Sequence, residues 1–411
     1  MTTLTEPGRY DLNGRSAVVD PYPAYHAVRA AGPLVSVGGA WYVTTYELAD
    51  AVLKHSSFGR GEYRRLIDTA LGPGPLQDSI SRWMLYLDPP AHSRLRSLVM
   101  RAFTPRAVNR LRDTIQEIVD GLLDGLDDRS AADGRGVVDF LAEFAYPLPV
   151  HAICRLLGVP AQDRADFRRW SADLGRGLQI ATATPEVTSR GNAAAAGLGD
   201  YFRGLVADRR RVPAEGFLDD LIAAEDEGGR LSDDELLATV VMLFFAGHET
   251  TVNLLGNGMT AMLAARTEWE AVCADPALAR QAVEEMLRFD TPVQRATRVA
   301  LTDVELAGTP IPKGTLVNIL IAGANRDPVR FPDPDRFSVR RADGPHLAFA
   351  AGAHYCVGAT LARAEAEIAV ATIARRFPDI RLASDDLRYR PNLILRGLES
   401  VPVTLRSPAT G

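Results

Sequence analysis

The sequence predicts a mainly α-helical protein with small β-sheets, one large domain arranged around a long central helix. Three observations lead there. From about Pro89 to Pro292, amphipathic stretches broken at Gly and Pro dominate the pattern. Segments such as GPLVSV, AWYVTTY and VELAGTPIPKGTLVNIL instead read as short strands joined by turns. No internal repeat or low-complexity linker divides the 411 residues, so residues 1–411 are expected to form a single domain, with 1–19 a loosely ordered N-terminal segment. After Cys356 a final helix is expected, followed by short β pieces in RLASDDLRYRPNLILRGLESVPVTL.

The long helix begins after Ser232, a good N-cap, with Asp233, Asp234 and Glu235 placed to favour the positive end of its dipole. The pattern runs without proline to about Arg266, roughly 50 Å at 1.5 Å per residue. An apolar helix of that length crosses the centre of a molecule. Ala246-Gly247-His248-Glu249-Thr250-Thr251 lies in its middle, where polar groups are costly unless paired.

Composition narrows the function. Hydrophobic residues make up 46% of the chain and charged residues 24%, the mix of a globular protein with a large core. A net charge of −6 argues against binding nucleic acid by bulk electrostatics. Only Lys54 and Lys313 are lysines, and that arginine excess reads as genome composition. The N-terminus has no apolar signal-like run, and LLATVVMLFFAG is well short of the roughly 20 residues of a spanning helix. Cys154, Cys273 and Cys356 are too few and scattered for a disulfide framework. A soluble cytoplasmic protein, outside the membrane, is expected. Cys154 and Cys273 lie on helical patterns and read as small core residues.

Cys356 is different. Phe349-Ala350-Ala351-Gly352-Ala353-His354-Tyr355-Cys356-Val357-Gly358 is a loop of small residues that presents one cysteine just before a helix. The start of that helix and nearby N–H groups would stabilise a thiolate. Gly352 and Gly358 allow a tight turn and close approach to a flat cofactor. A lone cysteine is more often a buried structural one, so the loop by itself leaves both readings open.

The loop resembles the haem-binding signature of the cytochrome P450 family: Phe, a glycine-bearing stretch, a basic residue two before Cys, and Gly two after. The family's first glycine is Ala350 here. Other motifs occur in the family's order. Glu285-Met286-Leu287-Arg288 is similar to its helical Glu-x-x-Arg pair, whose side chains share one face at i, i+3. Asn325-Arg326-Asp327-Pro328 and Phe331 to Phe337 resemble the segment leading to the loop. Ala246 to Thr251 resembles the oxygen-activating centre, although threonine in a helix is far more often an ordinary capping or back-bonding residue. The resemblance covers nearly the whole chain from about Asp20.

It implies a P450 fold with the long helix above haem b, Cys356 being the axial iron ligand. Gly247 would leave room for dioxygen beside Ala246, and Glu249 and Thr250 would hold water and relay protons. His248, one residue before the acid, faces elsewhere on the helix. His92 and Arg96, at i, i+4, would hold the propionates with Arg298 and His354, and Phe349 would belong to the same cradle. Glu285 and Arg288 would clamp the cysteine loop. Val241, Phe244, Phe245 and Ala246, with Val293, Gln294, Leu393, Ile394 and Leu395, would line the substrate pocket. Phe58 to Met84 and Ile180 to Ser189 would form a mobile lid.

The implied activity is a haem-thiolate monooxygenase that hydroxylates or epoxidises a small organic molecule, as a tailoring step in secondary-metabolite biosynthesis. No reductase module is expected within 411 residues, so a separate ferredoxin and an NAD(P)H-dependent ferredoxin reductase would supply electrons to a monomeric enzyme. Arg94, Arg101, Arg106 and Arg363 are the candidate docking cations. A peroxide-driven peroxygenase and a non-catalytic homologue that docks a partner are the alternatives. The presence of Glu249 and Thr250 argues against the first, and Cys356, Gly247 and Thr250 together argue against the second.

Overall fold

A computed structural model describes the chain apart from residues 1–3, 6–9, 133–135, 180–183, 227–228 and 406–411. The chain forms two compact units. One comprises Met1–Ser57, Arg112–Pro149 and Glu249–Gly411, the other Phe58–Leu111 and Val150–His248. Each unit is assembled from separate stretches of chain, which is why no linker is visible in the sequence.

In the first unit, strands Leu4–Thr5, Leu34–Val37, Ala40–Val43, Leu316–Ile319 and Ala296–Ala300 follow one another in a mixed sheet. Leu34–Val37 and Ala40–Val43 form an antiparallel hairpin. Its turn holds Gly38 at φ 59° and Gly39 at φ 81°, the two left-handed positions that a tight hairpin with native twist requires. One face of the hairpin buries Val35 and Tyr42 against Tyr22, Tyr25 and Val28 of the Tyr22–Ala31 helix. Within residues 1–19, expected to be loosely ordered, Leu4–Thr5 pairs in parallel with Ser36–Val37 and Arg15–Val19 is a short helix. Residues 1–3 and 6–9 lie outside the described residues. A smaller antiparallel sheet joins Arg381–Leu382, Pro402–Thr404 and Val137–Asp139. The Ala359–Arg376 helix that follows the cysteine loop packs on Arg112–Ala132. There Gln116 Nε2 donates to Thr372 Oγ1 at 3.1 Å and Arg112 Nη2 to Glu367 Oε1 at 3.2 Å.

The second unit is helical. Arg164–Gly177 packs on Pro185–Arg211, with Gly177 and Gly191 at the closest approach. Phe167, Trp170, Tyr201, Phe202 and Phe244 form an aromatic core between such elements, with Phe167 and Phe244 centroids 4.9 Å apart. The lid expected from Phe58 to Met84 contains helices Gly61–Leu71 and Pro75–Ile80. Of Ile180 to Ser189, residues 180–183 lie outside the described residues, and Pro185 onward is the start of a 27-residue helix capped by Thr184.

The long helix runs over Asp233–Ala264, 32 residues. It starts where Ser232 predicts and stops two residues before Arg266, which opens a separate helix, Arg266–Ala274. Its N-terminus is a reciprocal cap. Glu235 N donates to Ser232 Oγ at 3.3 Å, and Ser232 N donates to Glu235 Oε2 at 2.9 Å, which satisfies two donors that the helix geometry leaves without partners. By length and composition the helix could cross a membrane, but 67% of its most apolar window is buried inside the protein. It is a core helix.

Candidate active site

Between Ala238 and Met259 the long helix is buried everywhere except at four positions. Ala246 is exposed, and Gly247, Glu249 and Thr250 are half-buried. Within that stretch the helix is accessible only at the segment singled out from the sequence. His248, between them, is buried and faces the other way: its Nδ1 donates to Phe244 O at 2.7 Å, and its Nε2 meets Ser171 Oγ at 2.5 Å. With Nδ1 carrying the proton, neutral Nε2 accepts from the serine, and His248 ties the helix to Arg164–Gly177. Thr251 is buried. The missing side chain of Gly247 is accounted for by packing, since a Cβ there would stand 3.1 Å from Ile153 Cδ1. Glu249 is held by a residue 141 positions away, Arg390, whose Nη1 donates to Oε1 at 2.8 Å.

Of the expected pocket residues on this helix, Val241 and Phe244 are closed into the core. Phe244 is surrounded by Phe167, Phe202 and His248, so it belongs to the aromatic core of its unit. Phe245 is buried as well, but against Trp83, with ring centroids 6.0 Å apart. In the first unit the structure does bring together the other expected wall. Val293 bridges to Leu395, and Gln294 N donates to Ile394 O at 2.8 Å. Asn392 Oδ1 accepts from the N–H groups of Ile394 and Leu395, both at 2.9 Å, shaping the turn that leaves Ile394 exposed and Leu393 and Leu395 half-buried.

The cysteine loop is a compact, hydrogen-bonded turn. Cys356 N donates to Phe349 O, Tyr355 N to Gly352 O, both at 3.0 Å, and Ala350 N to Leu347 O at 2.8 Å. Cys356 itself is exposed. Gly352 has φ +69°, and a Cβ there would stand 2.6 Å from Leu53 O, so only glycine fits. Ala350, where the resemblance calls for glycine, is also left-handed at φ +56°. The loop keeps its geometry and carries the strain of a Cβ. Gly358 leads into Ala359–Arg376 so closely that a Cβ would be 3.9 Å from Cys356 Sγ, which puts the helix start beside the sulfur.

Behind the loop stands the expected clamp, with more members than the sequence showed. Arg288 donates through Nε and Nη2 to both oxygens of Glu285, at 2.7 and 2.8 Å, and both side chains are 2% exposed. Arg288 Nη1 also donates to Asn325 O and Pro334 O at 3.0 and 2.9 Å, and Arg341 Nε to Glu285 Oε1 at 3.2 Å. Asn325 Oδ1 accepts from Leu347 N at 2.7 Å, which carries the clamp to the first residues of the loop. The neighbouring acid, Glu284, accepts from Arg363 Nε at 2.6 Å and meets His346 Nε2 at 3.2 Å. Burial alone would raise its carboxyl, but His346 and Arg363 hold it down at about 2. The Arg363 guanidinium also lies over the Phe349 ring, 4.5 Å from its centroid.

That pairing changes the reading of the docking cations. Arg363 is committed to Glu284, and Arg94 to Glu235. Arg101 is exposed, and the side chain of Arg106 lies outside the described residues. Cys154 is buried as expected; Cys273 is only partly so.

The four expected propionate donors divide between the units. Arg298, 2% exposed, lies on Ala296–Ala300 opposite Val317, and half-buried His354 ends the turn Gly352–His354. His92, 2% exposed, and half-buried Arg96 share the helix Ala91–Ala102. Within the first unit, a buried arginine, a half-buried histidine and an exposed thiol at a helix start are donor types that fit an iron porphyrin with two carboxylates.

Comparison with known proteins shows the family of the chain. The Cytochrome P450 family model matches residues 185–382. Cytochrome P450 monooxygenase PikC of Streptomyces venezuelae is 41% identical, covering 98% of this chain and 96% of that protein. The chain belongs to the cytochrome P450 family. Vitamin D(3) 25-hydroxylase of Pseudonocardia autotrophica is 38% identical over 98% of both chains. The crystal structure of CalO2 superposes with a TM-score of 0.90 at 39% identity, covering 97% of this chain and 98% of that one. The protein is therefore a P450 monooxygenase with the P450 fold and haem b as its cofactor. Sequence reasoning missed Arg390, Arg341, Glu284 and His346. Their partners are distant in sequence, and no local pattern announces them.

Proposed function

We propose that this P450 inserts one oxygen atom of O2 into a C–H bond or double bond of a small organic molecule, as a tailoring step in secondary-metabolite biosynthesis. Electrons would come from a separate ferredoxin and its NAD(P)H-dependent reductase, in the cytoplasm. The observation that carries the reading is the accessible window at Ala246, Gly247, Glu249 and Thr250 in a helix otherwise buried from Ala238 to Met259. Two relatives support the metabolite class by their names: Polyketide biosynthesis cytochrome P450 PksS of Bacillus subtilis, 38% identical, and 6-deoxyerythronolide B hydroxylase of Saccharopolyspora erythraea, 37% identical.

Bound haem supplies the binding and activation of dioxygen, with Cys356 as the thiolate that donates electron density to iron. The chain's own residues would hold the cofactor and deliver protons. His92, Arg96, Arg298 and His354 would hold the propionates, and Phe349, Gly352 and Gly358 would shape the cradle. Thr250 presents a hydroxyl in the accessible window, where it can position water. Glu249, on the same stretch of helix, exchanges protons with that water and with solvent. Phe245, Val293, Gln294 and Leu393 to Leu395 would position the substrate.

Turnover with ferredoxin, reductase and NAD(P)H, compared with turnover on hydrogen peroxide alone, tests this reading. Product from the NAD(P)H system is expected. Product from peroxide alone would favour a peroxygenase, and neither product nor a substrate-induced spectral shift across a metabolite panel would favour a non-catalytic role.

A further inference from the structure

Arg60 stands between the Phe58–Gly59 strand and the Gly61–Leu71 helix. Its guanidinium carbon lies over the Tyr86 ring, 5.1 Å from the centroid. Arg60 is half-buried; its Nε is sealed from solvent, and among the described residues no hydrogen bond or ion pair engages the guanidinium. The nearest carboxylate is already engaged. Asp88 accepts from the backbone N–H groups of Arg60 and Gly61 at 2.7 and 2.8 Å, and it fills the turn so tightly that a Cβ on Gly59 would meet Oδ2 at 2.5 Å.

A cation in this position is costly. Withdrawing part of a charge from water has a cost that a cation–π contact only partly offsets. Burial weakens the hold of Arg60 on its proton, an effect that Tyr86, Tyr63 and Asp88 only partly offset, yet arginine stays charged. The stacking partner continues toward the accessible part of the long helix. Tyr86 stacks on Trp83 with centroids 6.4 Å apart, and Trp83 meets Phe245 at 6.0 Å, one residue before exposed Ala246.

We propose that Arg60 is a specificity-determining residue that receives a carboxylate or another oxyanion on the molecule to be oxidised. The proposal rests on the monooxygenase reading and names a substrate class for it. An acid would give the guanidinium the acceptor it lacks, while the half-buried Tyr86 ring meets the apolar body next to the carboxylate. A haem propionate is the other possible source of a carboxylate, and the test separates the two.

The haem-loaded protein is titrated with dodecanoic, 4-cyclohexylbenzoic and 1-naphthoic acids, each against its primary amide, by calorimetry and by the substrate-induced spectral shift. At least one acid should bind about 10- to 100-fold more tightly than its amide, the range of one charge-assisted hydrogen bond. Arg60→Gln should erase the preference, and Arg60→Lys should keep part of it. Any of three results would overturn the proposal: no acid preference in the natural protein, a preference that survives Arg60→Gln, or haem loss from Arg60→Gln with acid preference unchanged, which would assign Arg60 to the cofactor. The ferrous–CO spectrum of each variant reports separately on the haem-thiolate reading.

Discussion

Arg390 Nη1 donates to Glu249 Oε1 at 2.8 Å, so the acid proposed to feed protons to the active site is held by a cation from the C-terminal part of the chain. Arg390 is itself fixed, its Nε donating to Leu398 O at 2.9 Å and its N–H to Gly397 O, also at 2.9 Å. In the proposed relay, Glu249 would pass a proton inward when its carboxyl reaches water beside Thr250, and the hold of Arg390 would set how often it does.

Arg390→Gln removes the charge and leaves a neutral donor. Both side chains are partly exposed, so the pair is worth about 1 kcal/mol or less. We expect turnover to change by less than about tenfold, with a changed solvent deuterium isotope effect and an unaltered spectral response to substrate. An unchanged isotope effect in a folded variant would place Arg390 outside proton delivery.

Thr250→Ala should separate reduction from oxygenation. The variant should bind haem and substrate and accept electrons as before. Product formed per NAD(P)H consumed should fall about tenfold or more, since general acid–base catalysis is commonly worth about 10²–10⁴-fold. A product yield equal to that of the natural enzyme would remove Thr250 from the relay.

The elements that were legible in the sequence are those written in neighbouring residues. The Ser232 cap, the i, i+3 pair Glu285–Arg288 and the glycine at 352 each express a local geometric demand, and each is found where it was expected. The choice between Phe244 and Phe245 was not legible. Adjacent residues on a helix face different neighbours, and only the packing shows that Phe244 is buried against Phe167 and Phe202 and Phe245 against Trp83. Arg363 looked like a surface cation for the same reason, because its partner Glu284 lies 79 positions away. Pairings across such separations leave no periodic trace.

Glu365, on the helix after the cysteine loop, is 1% exposed, and neither carboxyl oxygen has a partner among the described residues. Burial raises its carboxyl from an ordinary 4.5 to about 8. The folded protein therefore keeps this proton where the unfolded chain has released it. Its contribution to stability is fully present below pH 4.5, falls as pH rises and is lost above about pH 8, with a steepest slope of about 1.4 kcal/mol per pH unit. Glu365→Gln should lose less stability than the natural protein between pH 6 and pH 9 in denaturant titrations. Parallel losses would mean that the carboxyl is ionised or paired in solution.

Ala350 carries a left-handed backbone at φ +56°. Such a conformation costs a residue with a Cβ about 1–2 kcal/mol, and glycine returns about 0.4–1 kcal/mol of that through the freedom of its unfolded chain. Ala350→Gly is thus expected to stabilise the protein by about 0.5–1 kcal/mol, read as a higher Tm, with the haem spectrum unchanged. A lower Tm would show that the loop tolerates the alanine without strain.

The account depends most on Cys356 as the thiolate ligand of haem iron. The ferrous–CO difference spectrum of the natural protein beside that of Cys356→His tests it most directly. The account predicts the red-shifted Soret band of a thiolate complex in the natural protein and its loss in a variant that still binds haem. The same red-shifted band in Cys356→His would contradict it.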